Sequence, residues 1–352
     1  MTDRHALFRA DASVEIGTGH VMRCRTLAEA LIERGWSVTL ASRDLPGDLS
    51  GSIGSSGIEI LHLPEDLAIP DEPGWLQAHL PSSHPLLIVD HYQVDDAWLD
   101  RSRAWAPIIV AIDDLADRAL PVDLVLNQNL GAEVERYRLL VPTAARILVG
   151  PRFALLRPEF AAAHDRRRTR SGRIDHILVF MSGADKPDVT RRAAAAAAAV
   201  GVRVDVVVGG IYPHLPALRR WAADHSLVEL HVGTSAMASL MERADLAIGA
   251  PSSASWERCA VGLPSVLVVL ADNQRETGRL LAERGAALTL GWHTSIDAER
   301  IEQAIRRLQT EPDQVRMMSD AAAGMTDGRG TERILAVIGW LVDPSAGESI
   351  PS

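Results

Sequence analysis

The sequence predicts an α/β chain with two doubly wound domains that face one another across a cleft. Short apolar runs rich in β-branched residues alternate with helical patterns along most of the chain. This alternation is typical of parallel sheets that are covered by helices on both faces. The alternation pauses at a charged segment and then restarts, and 352 residues exceed one typical domain. Each half is therefore expected to be a Rossmann-like domain.

Apolar runs predict the strands of the first half at 5–10, 36–41, 58–63, 86–89, 108–112, 123–126 and 146–149. In the second half they predict strands at 176–180, 203–208, 227–232, 245–249 and 265–270. Helical spacing predicts a helix at 21–34, an alanine-rich helix that includes 193–199, and closing helices at 296–308, 313–322 and 331–341. The predicted domains are 1–157 and 176–343, with a linker at 158–175 and a disordered tail at 344–352.

Composition excludes several classes of protein. A net charge of −10 argues against nucleic-acid binding and against docking on anionic membranes, because both need a basic face. Cys24 and Cys259 are far apart in sequence, so neither a disulfide framework nor a metal cluster is expected. No signal region or membrane-spanning run is present. We expect a cytoplasmic protein without a membrane anchor, either a monomer or a weak oligomer. The basic run at 165–173 predicts a solvated connection in preference to a phosphate site.

A glycine loop follows the first predicted strand. Gly17 and Gly19 permit positive φ and close approach of a ligand. His20 follows at the start of a helix, where the positive end of the macrodipole disfavours a second positive charge. A neutral histidine at the mouth of an α/β sheet is a candidate general base. On local sequence alone, a helix-capping role for His20 is an equal alternative.

A small-residue segment follows the strand at 245–249. Residues 250–255 include Ser252, Ser253 and Ser255 and lead into a helix, so backbone N–H groups and hydroxyls there could receive a phosphate. Glu257, about one turn further on, could accept hydrogen bonds from a ribose diol. Local sequence alone favours an ordinary helix cap formed by Ser253 or Ser255.

Further polar residues follow other predicted strands. Asp272, Asn273 and Gln274 come after the strand at 265–270, with Asp272 as a candidate helix cap. Asp113 and Asp114 follow the strand at 108–112 and could be interpreted as a metal pair. Loop and cap roles are preferred for them because no further ligand cluster accompanies them, so no metal site and no cofactor are predicted.

These segments together resemble one family, the UDP-sugar hydrolases of pseudaminic acid biosynthesis. The resemblance covers most of the chain in order, at residues 9–11, 17–24, 90–92, 112–118, 126–129, 153–160, 182–185, 256–259 and 272–274. The family acts on UDP-2,4-diacetamido-2,4,6-trideoxy-β-L-altropyranose. Its fold is similar to that of the two-domain GT-B glycosyltransferases that include the peptidoglycan N-acetylglucosaminyltransferase.

The resemblance implies a role for each matching residue. His20 would activate water, and Tyr92 and Asn273 would be polar partners in the sugar and water site. Glu257 would hold the ribose, and residues 250–255 the pyrophosphate. The resemblance also implies substrate contacts, which are expected from Arg9, Asp11, Gly17, Gly19, Gly183, Ser252, Ser253, Ser255, Glu257 and Gln274.

The resemblance implies a metal-independent, inverting hydrolase that releases UDP and a free diacetamido-trideoxy sugar. Two alternatives stay open, a GT-B glycosyltransferase that uses a UDP-amino sugar and a non-catalytic nucleotide-sugar binding protein. One departure bears on the choice. The family segment is usually richer in glycine where this chain has Pro251 and Ser252. If positive φ is needed there, serine would strain the segment.

Overall fold

A computed structural model describes residues 4–12, 19–45, 56–80, 86–183 and 185–345. The chain divides into two compact units, the first formed by Met1–Leu156 with Arg329–Ser352 and the second by Arg157–Gly328. Each unit is built on one all-parallel sheet with helices on its faces. The predicted α/β class with two Rossmann-like sheets is confirmed.

The sheet of the first unit has the strand order β3-β2-β1-β4-β5-β6-β7. Its strands are β1 His5–Ala10, β2 Ser37–Arg43, β3 Glu59–Leu63, β4 Leu86–Asp90, β5 Ile108–Ile112, β6 Leu124–Asn127 and β7 Arg146–Val149. Its helices are α1 Gly19–Ile32, α2 Glu72–His79, α3 Asp96–Ser102 and α4 Val134–Tyr137, joined by α13 Gly330–Val342 from the end of the chain. The reversal of strand order at β1 and β4 is the doubly wound switch point, beyond which such sheets bind ligands.

Alternating strand residues build two apolar layers in this unit. Phe8 and Ile88 face one layer, which includes Leu27 and Leu31 of α1. Leu7 faces the other layer, which includes Leu76, Trp98 and Leu99 of α2 and α3. Successive residues of a strand point to opposite faces of the sheet, and an apolar layer covers each face. Both sets of residues are therefore apolar, which explains the unbroken apolar runs in the sequence.

The sheet of the second unit has the strand order β10-β9-β8-β11-β12-β13. Its strands are β8 His176–Phe180, β9 Arg203–Val208, β10 Val228–Val232, β11 Leu246–Gly249, β12 Ser265–Val269 and β13 Ala287–Trp292. Its helices are α5 Pro158–Asp165, α6 Val189–Ala199, α7 Leu215–Ala223, α8 Met237–Arg243, α9 Ala254–Ala260, α10 Arg275–Glu283, α11 Ala298–Thr310 and α12 Pro312–Ala323. The alanine-rich α6 packs with α11 on one face of this sheet. No helix among the described residues is long and apolar enough to span a bilayer.

Three parts of the chain differ from the sequence prediction. The last helix, α13, buries Ile334 and Ile338 in the core of the first unit, although the sequence assigned it to the second domain. The predicted linker contains α5, which belongs to the second unit. Strand β13 was missed, because the glycine at position 291 interrupts its apolar pattern; in the structure Gly291 has a φ of 115° and the register against β12 shifts there. The predicted tail lies outside the described residues from position 346 onward.

The basic run contains one buried arginine. Arg170 is 4% exposed, and its guanidinium donates to the backbone carbonyls of Gly262 at 2.9 Å and of Ala244. Burial lowers its pKa to about 10. The exposed neighbours Arg166 and Arg168 pair with Glu242 and Asp245. The predicted solvated connection is therefore anchored at its centre by a buried cation that bonds to backbone oxygens.

We expect Arg170→Met to destabilise the second unit by about 2–3 kcal/mol, since buried carbonyls lose a charged donor. Faster amide hydrogen exchange in β8 and β11 would report this loss within the unit. The matched control is Arg173→Met, because Arg173 is exposed and pairs with the exposed Asp175. Its effect is expected to stay below about 0.5 kcal/mol. Equal exchange rates in the two variants would contradict an anchoring role.

Candidate functional site

The carboxyl ends of three neighbouring strands carry acidic side chains in the first unit. Strands β1, β4 and β5 lie side by side, and Ala10 pairs in register with Asp90. Asp11, Asp90 and Asp114 are therefore brought to one edge of the sheet, where α1 also begins. This is the edge at which doubly wound sheets bind ligands.

His20 is the second residue of α1 and is hydrogen-bonded to Asp90. Its Nδ1 lies 2.6 Å from Asp90 Oδ1, and its side chain is 13% exposed. A carboxylate only accepts hydrogen bonds, so Nδ1 carries a proton, and in the neutral imidazole the lone pair is then on Nε2. No hydrogen bond to Nε2 is found among the described residues. His20 thus bonds to a carboxylate, and no bond from its ring to a helix amide is found in the part of the chain that the structure describes.

Arg23, one helical turn after His20, holds Asp90 and Asp114 together. Its Nε and Nη2 each lie 2.6 Å from an oxygen of Asp90, and Nη1 and Nη2 lie 3.1 and 3.0 Å from Asp114. Burial alone would raise the pKa of Asp90, but the charge and hydrogen bonds of Arg23, followed by those of His20, keep that pKa well below its usual range. Asp90 is therefore an ionised acceptor for His20.

Tyr92 lies beside His20. Their ring centroids are 4.8 Å apart with an interplanar angle of 89°, an edge-to-face contact. The Tyr92 hydroxyl donates to Asp114 at 3.2 Å, and Tyr92 is 39% exposed. Partial burial, followed by the charge of Asp114, raises its pKa, so the phenol is protonated at neutral pH. Two of the predicted catalytic residues, His20 and Tyr92, thus lie together.

Arg9 and Asp11 form a buried ionic network. Arg9 is fully buried and donates to Asp11 at 2.6 and 3.0 Å and to Glu72 at 2.9 Å through both Nε and Nη2. Asp11 also accepts from the backbone of Arg43 at 2.9 Å and contacts His91 at 3.1 Å. This placement favours a positioning role for Arg9 and Asp11 over the substrate contact that the sequence predicted.

Asp113 supports a loop. Its Oδ2 accepts from the Ala116 amide at 2.8 Å and the Tyr137 hydroxyl at 2.9 Å, and its Oδ1 accepts from Arg118 at 2.9 Å. Ala116 has a φ of 51°, a left-handed conformation that these bonds to Asp113 help to hold. These contacts agree with the predicted loop role of Asp113. Asp114 instead belongs to the group around Arg23.

The glycine loop is described only at its end. Gly17 lies outside the described residues. Gly19 is the first residue of α1, and a Cβ built on it would have no heavy atom within 4 Å. The described residues thus leave room for a ligand to approach the backbone at Gly19.

In the second unit, residues 250–253 connect β11 to α9, and Ala254 and Ser255 are the first two residues of that helix. Ser252 is half-buried, Ser253 is exposed, and Ser255 is buried with its hydroxyl accepting from Arg258 at 2.9 Å. Ser253 occupies the N-cap position without a capping side-chain bond. Among the described residues, positive φ outside glycine occurs at Ala116, Asp185 and Asp188. Ser252 therefore does not have the positive φ that would strain its backbone. Ser252 and Ser253 are thus accessible, whereas Ser255 supports Arg258.

Glu257 lies in the first turn of α9. Its Oε1 is 3.7 Å from Arg157, and its side chain is 20% exposed. Burial raises the pKa of Glu257, and the positive charges of Arg157 and Arg258 oppose that rise. The Glu257 carboxyl is thus partly exposed and lies near the guanidinium of Arg157.

The remaining predicted site residues are Gly183 and those of the segment 272–274. The Gly183 carbonyl accepts from the Gly209 amide at 3.1 Å, and a Cβ on Gly209 would overlap that carbonyl. Asn273 is exposed on a short 3-10 turn of the second unit, whereas Gln274 accepts from the Leu270 amide at 2.9 Å. Asp272 pairs with Arg275 at 2.7 Å and is not the cap of α10. Asn273 is therefore available to a ligand, whereas the Gln274 side chain supports its own turn.

Sequence reasoning did not assign functional roles to Asp90, Arg23 and Asp114. Each was visible as a polar residue at a strand end or one turn after His20. The missing information was strand order, because only adjacency of β1, β4 and β5 brings these side chains within hydrogen-bond distance.

The comparisons with known proteins agree with this architecture. Residues 228–334 match the model of the glycosyltransferase family 28 C-terminal domain. The solved structure of MurG from Acinetobacter baumannii has a TM-score of 0.64 at 14% identity and covers 96% of this chain and 99% of its own. The calicheamicin glycosyltransferase CalG4 has a TM-score of 0.56 at 16% identity, over 96% of this chain and 99% of its own. The chain therefore has a GT-B-type fold.

Two curated relatives are similar over most of the chain. The spore coat polysaccharide biosynthesis protein SpsG of Bacillus subtilis is 26% identical, over 95% of this chain and 97% of its own length. The UDP-2,4-diacetamido-2,4,6-trideoxy-β-L-altropyranose hydrolase of Campylobacter jejuni is 25% identical, over 79% of this chain and 96% of its own length. The chain thus has a GT-B-type fold and is similar, at about a quarter identity, to a protein named for polysaccharide biosynthesis and to a UDP-sugar hydrolase.

Proposed function

We propose that the protein hydrolyses a UDP-linked diacetamido-trideoxy sugar and releases UDP and the free sugar. The hydrogen bond between His20 and Asp90 carries this proposal, because it fixes the tautomer in which Nε2 can accept a proton. The similarity to the Campylobacter jejuni hydrolase supports the substrate class. The resemblance of the sequence segments to the UDP-sugar hydrolases of pseudaminic acid biosynthesis favours a place in that pathway.

In the proposed reaction, His20 Nε2 takes a proton from water while the water oxygen forms a bond to the anomeric carbon. The bond from that carbon to the β-phosphate oxygen breaks, and its electron pair leaves with UDP. Attack opposite the leaving group inverts the anomeric centre. Tyr92, beside His20 in the first unit, would orient the sugar and the water.

The nucleotide is assigned to the second unit. Residues 250–255, with the accessible Ser252 and Ser253, would bind the pyrophosphate, and Glu257 would bind the ribose. The match of residues 228–334 to a glycosyltransferase C-terminal domain supports this assignment. A nucleoside diphosphate is a good leaving group, so charge stabilisation suffices and the two carboxylates of ordinary glycosidases are not needed.

Hydrolysis in isotopically labelled water tests the proposal. We expect the label in the sugar, because water attacks carbon and the C–O bond breaks. Mass spectrometry of both products after a single turnover shows which product carries the label. Label in UDP would contradict attack at the anomeric carbon, because it requires cleavage at phosphorus.

A glycosyltransferase that uses the same donor is the second candidate. The family 28 match and the glycosyltransferase structures favour it, since such enzymes share the fold. UDP release without an acceptor, with stoichiometric free sugar, supports the hydrolase. Release that depends on an added acceptor supports the transferase, and tight UDP binding without turnover of any donor supports a non-catalytic binding protein.

A further inference from the structure

A separate cluster of titratable side chains lies on the sheet of the second unit, outside the segments assigned to the nucleotide. Asp205 of β9 is at its centre, with His176 of β8 on one side and Glu229 and His231 of β10 on the other. Arg243 of α8 contacts Asp205 and Glu229. Asp205 pairs in register with Glu229, so these side chains project from the same face of the sheet.

The spacing of three ligand atoms suits one metal ion. Asp205 Oδ1 is 2.9 Å from His231 Nε2, and Glu229 Oε1 is 3.7 Å from the same nitrogen. One ligand atom from each of the three residues lies within 4.8 Å of the others. Ligands bound to zinc at about 2.0–2.2 Å lie roughly 3–3.5 Å apart, so only small movements are required.

Arg243 now supplies positive charge at this cluster. Its Nη2 lies 2.7 Å from Asp205 Oδ1 and 3.6 Å from Glu229. Its side chain is 46% exposed, so the guanidinium can move into solvent. Without it, the carboxylates of Asp205 and Glu229 leave a negative charge that a divalent cation would neutralise.

We propose that Asp205 Oδ1, Glu229 Oε1 and His231 Nε2 bind a divalent cation of the zinc class in exchange for the Arg243 guanidinium. Imidazole nitrogen with carboxylate oxygen is a donor set suited to zinc, and water completes the coordination. His176 is a positioning residue. Its Nε2 lies 2.8 Å from Asp205 Oδ2, and as the donor it would hold the carboxylate so that Oδ1 faces the ion.

The burial of the ligands fits a site that opens to solvent at one side. Asp205 is 2% exposed and both histidines are 17% exposed, so the inner part is largely shielded from solvent. Glu229 is 68% exposed at the edge strand, where an ion can enter. The site is independent of the proposed hydrolysis, which uses other residues.

Titration of the tag-free, chelator-treated full chain with Zn²⁺ tests this proposal by calorimetry, with Co²⁺ as a spectroscopic probe. We expect one equivalent of each ion to bind, with ligand-field absorption from Co²⁺ that Zn²⁺ abolishes. His231→Ala and Glu229→Gln are expected to abolish this binding. The matched control His225→Ala, a histidine of the same unit outside the cluster, is expected to retain it. The absence of saturable binding would overturn the proposal.

Arg243→Gln provides a gain of function that does not depend on the folding of weakened variants. Removal of the competing cation is expected to tighten Zn²⁺ binding several-fold, and unchanged or weaker binding would contradict the exchange. His176→Phe is expected to weaken binding about 10–100-fold and to alter the Co²⁺ spectrum. His176→Gln keeps a hydrogen-bond donor to Asp205 and should therefore restore most of the Zn²⁺ affinity. An unaltered Zn²⁺ affinity in His176→Phe would contradict a positioning role for His176.

Discussion

His20→Ala is expected to lower kcat for UDP release by about 10²–10⁴-fold, because the reaction loses its general base. UDP binding should be unchanged, since the proposed nucleotide segment belongs to the second unit. Steady-state UDP release and calorimetric titration with UDP measure the two quantities. The matched control His79→Ala removes an exposed histidine of the same unit and should retain the parental rate. An undiminished rate in His20→Ala would leave hydrolysis possible but would need another base.

Asp90 should act through His20, and a double-mutant cycle separates this role from a structural one. Asp90→Asn removes the ionised acceptor of His20 Nδ1, so a lower kcat is expected. In the His20→Ala background, the same substitution should add little, because the group that it orients is already absent. Additive losses would show that Asp90 contributes independently of His20.

The fold was largely predictable because strand periodicity and helix spacing are local properties. Most predicted strands match the structure within one or two residues, from β1 at His5–Ala10 to β12 at Ser265–Val269. Strand β13 was missed because Gly291 breaks its apolar pattern, and its place in the sheet depends on a pairing with β12 whose register shifts along the strand. The unit to which α13 belongs was also not predictable, because an apolar helix face can pack against either sheet.

The candidate site was predictable only as separate strand-end residues. His20 and Tyr92 were identified together, but the sequence does not show that Asp90 is the partner of His20, because 70 residues separate them. Arg9 shows the opposite difficulty. Beside a glycine loop it resembles a ligand contact, whereas in the fold its donors are directed to Asp11 and Glu72. Long-range pairing of charges therefore decides which polar residues face a ligand and which position the others.

Arg9→Met should give the largest loss of stability, about 3–5 kcal/mol near neutral pH, because it leaves two buried carboxylates without their main partner. Burial would raise the pKa values of Asp11 and Glu72. Hydrogen bonds and charge pairing with His91 and Arg9 nevertheless keep the pKa of Asp11 below its ordinary value. Arg9 and Arg43 do the same for the pKa of Glu72. Folded-state pKa values below the unfolded ones contribute stability above about pH 4–4.5, and this contribution is lost as the pH falls further.

The pH dependence of Arg9→Met separates this network from ordinary loss of packing. The difference in stability between parent and variant should be largest near pH 7 and should shrink in acid, because protonated carboxyls no longer need the guanidinium. Hydrogen exchange of the β1 amides at several pH values measures this difference within the first unit. Arg101→Met, on the exposed face of α3, is the matched control and should change little at any pH. A pH-independent loss in Arg9→Met would show that its methylene packing, and not its charge, stabilises this edge of the sheet.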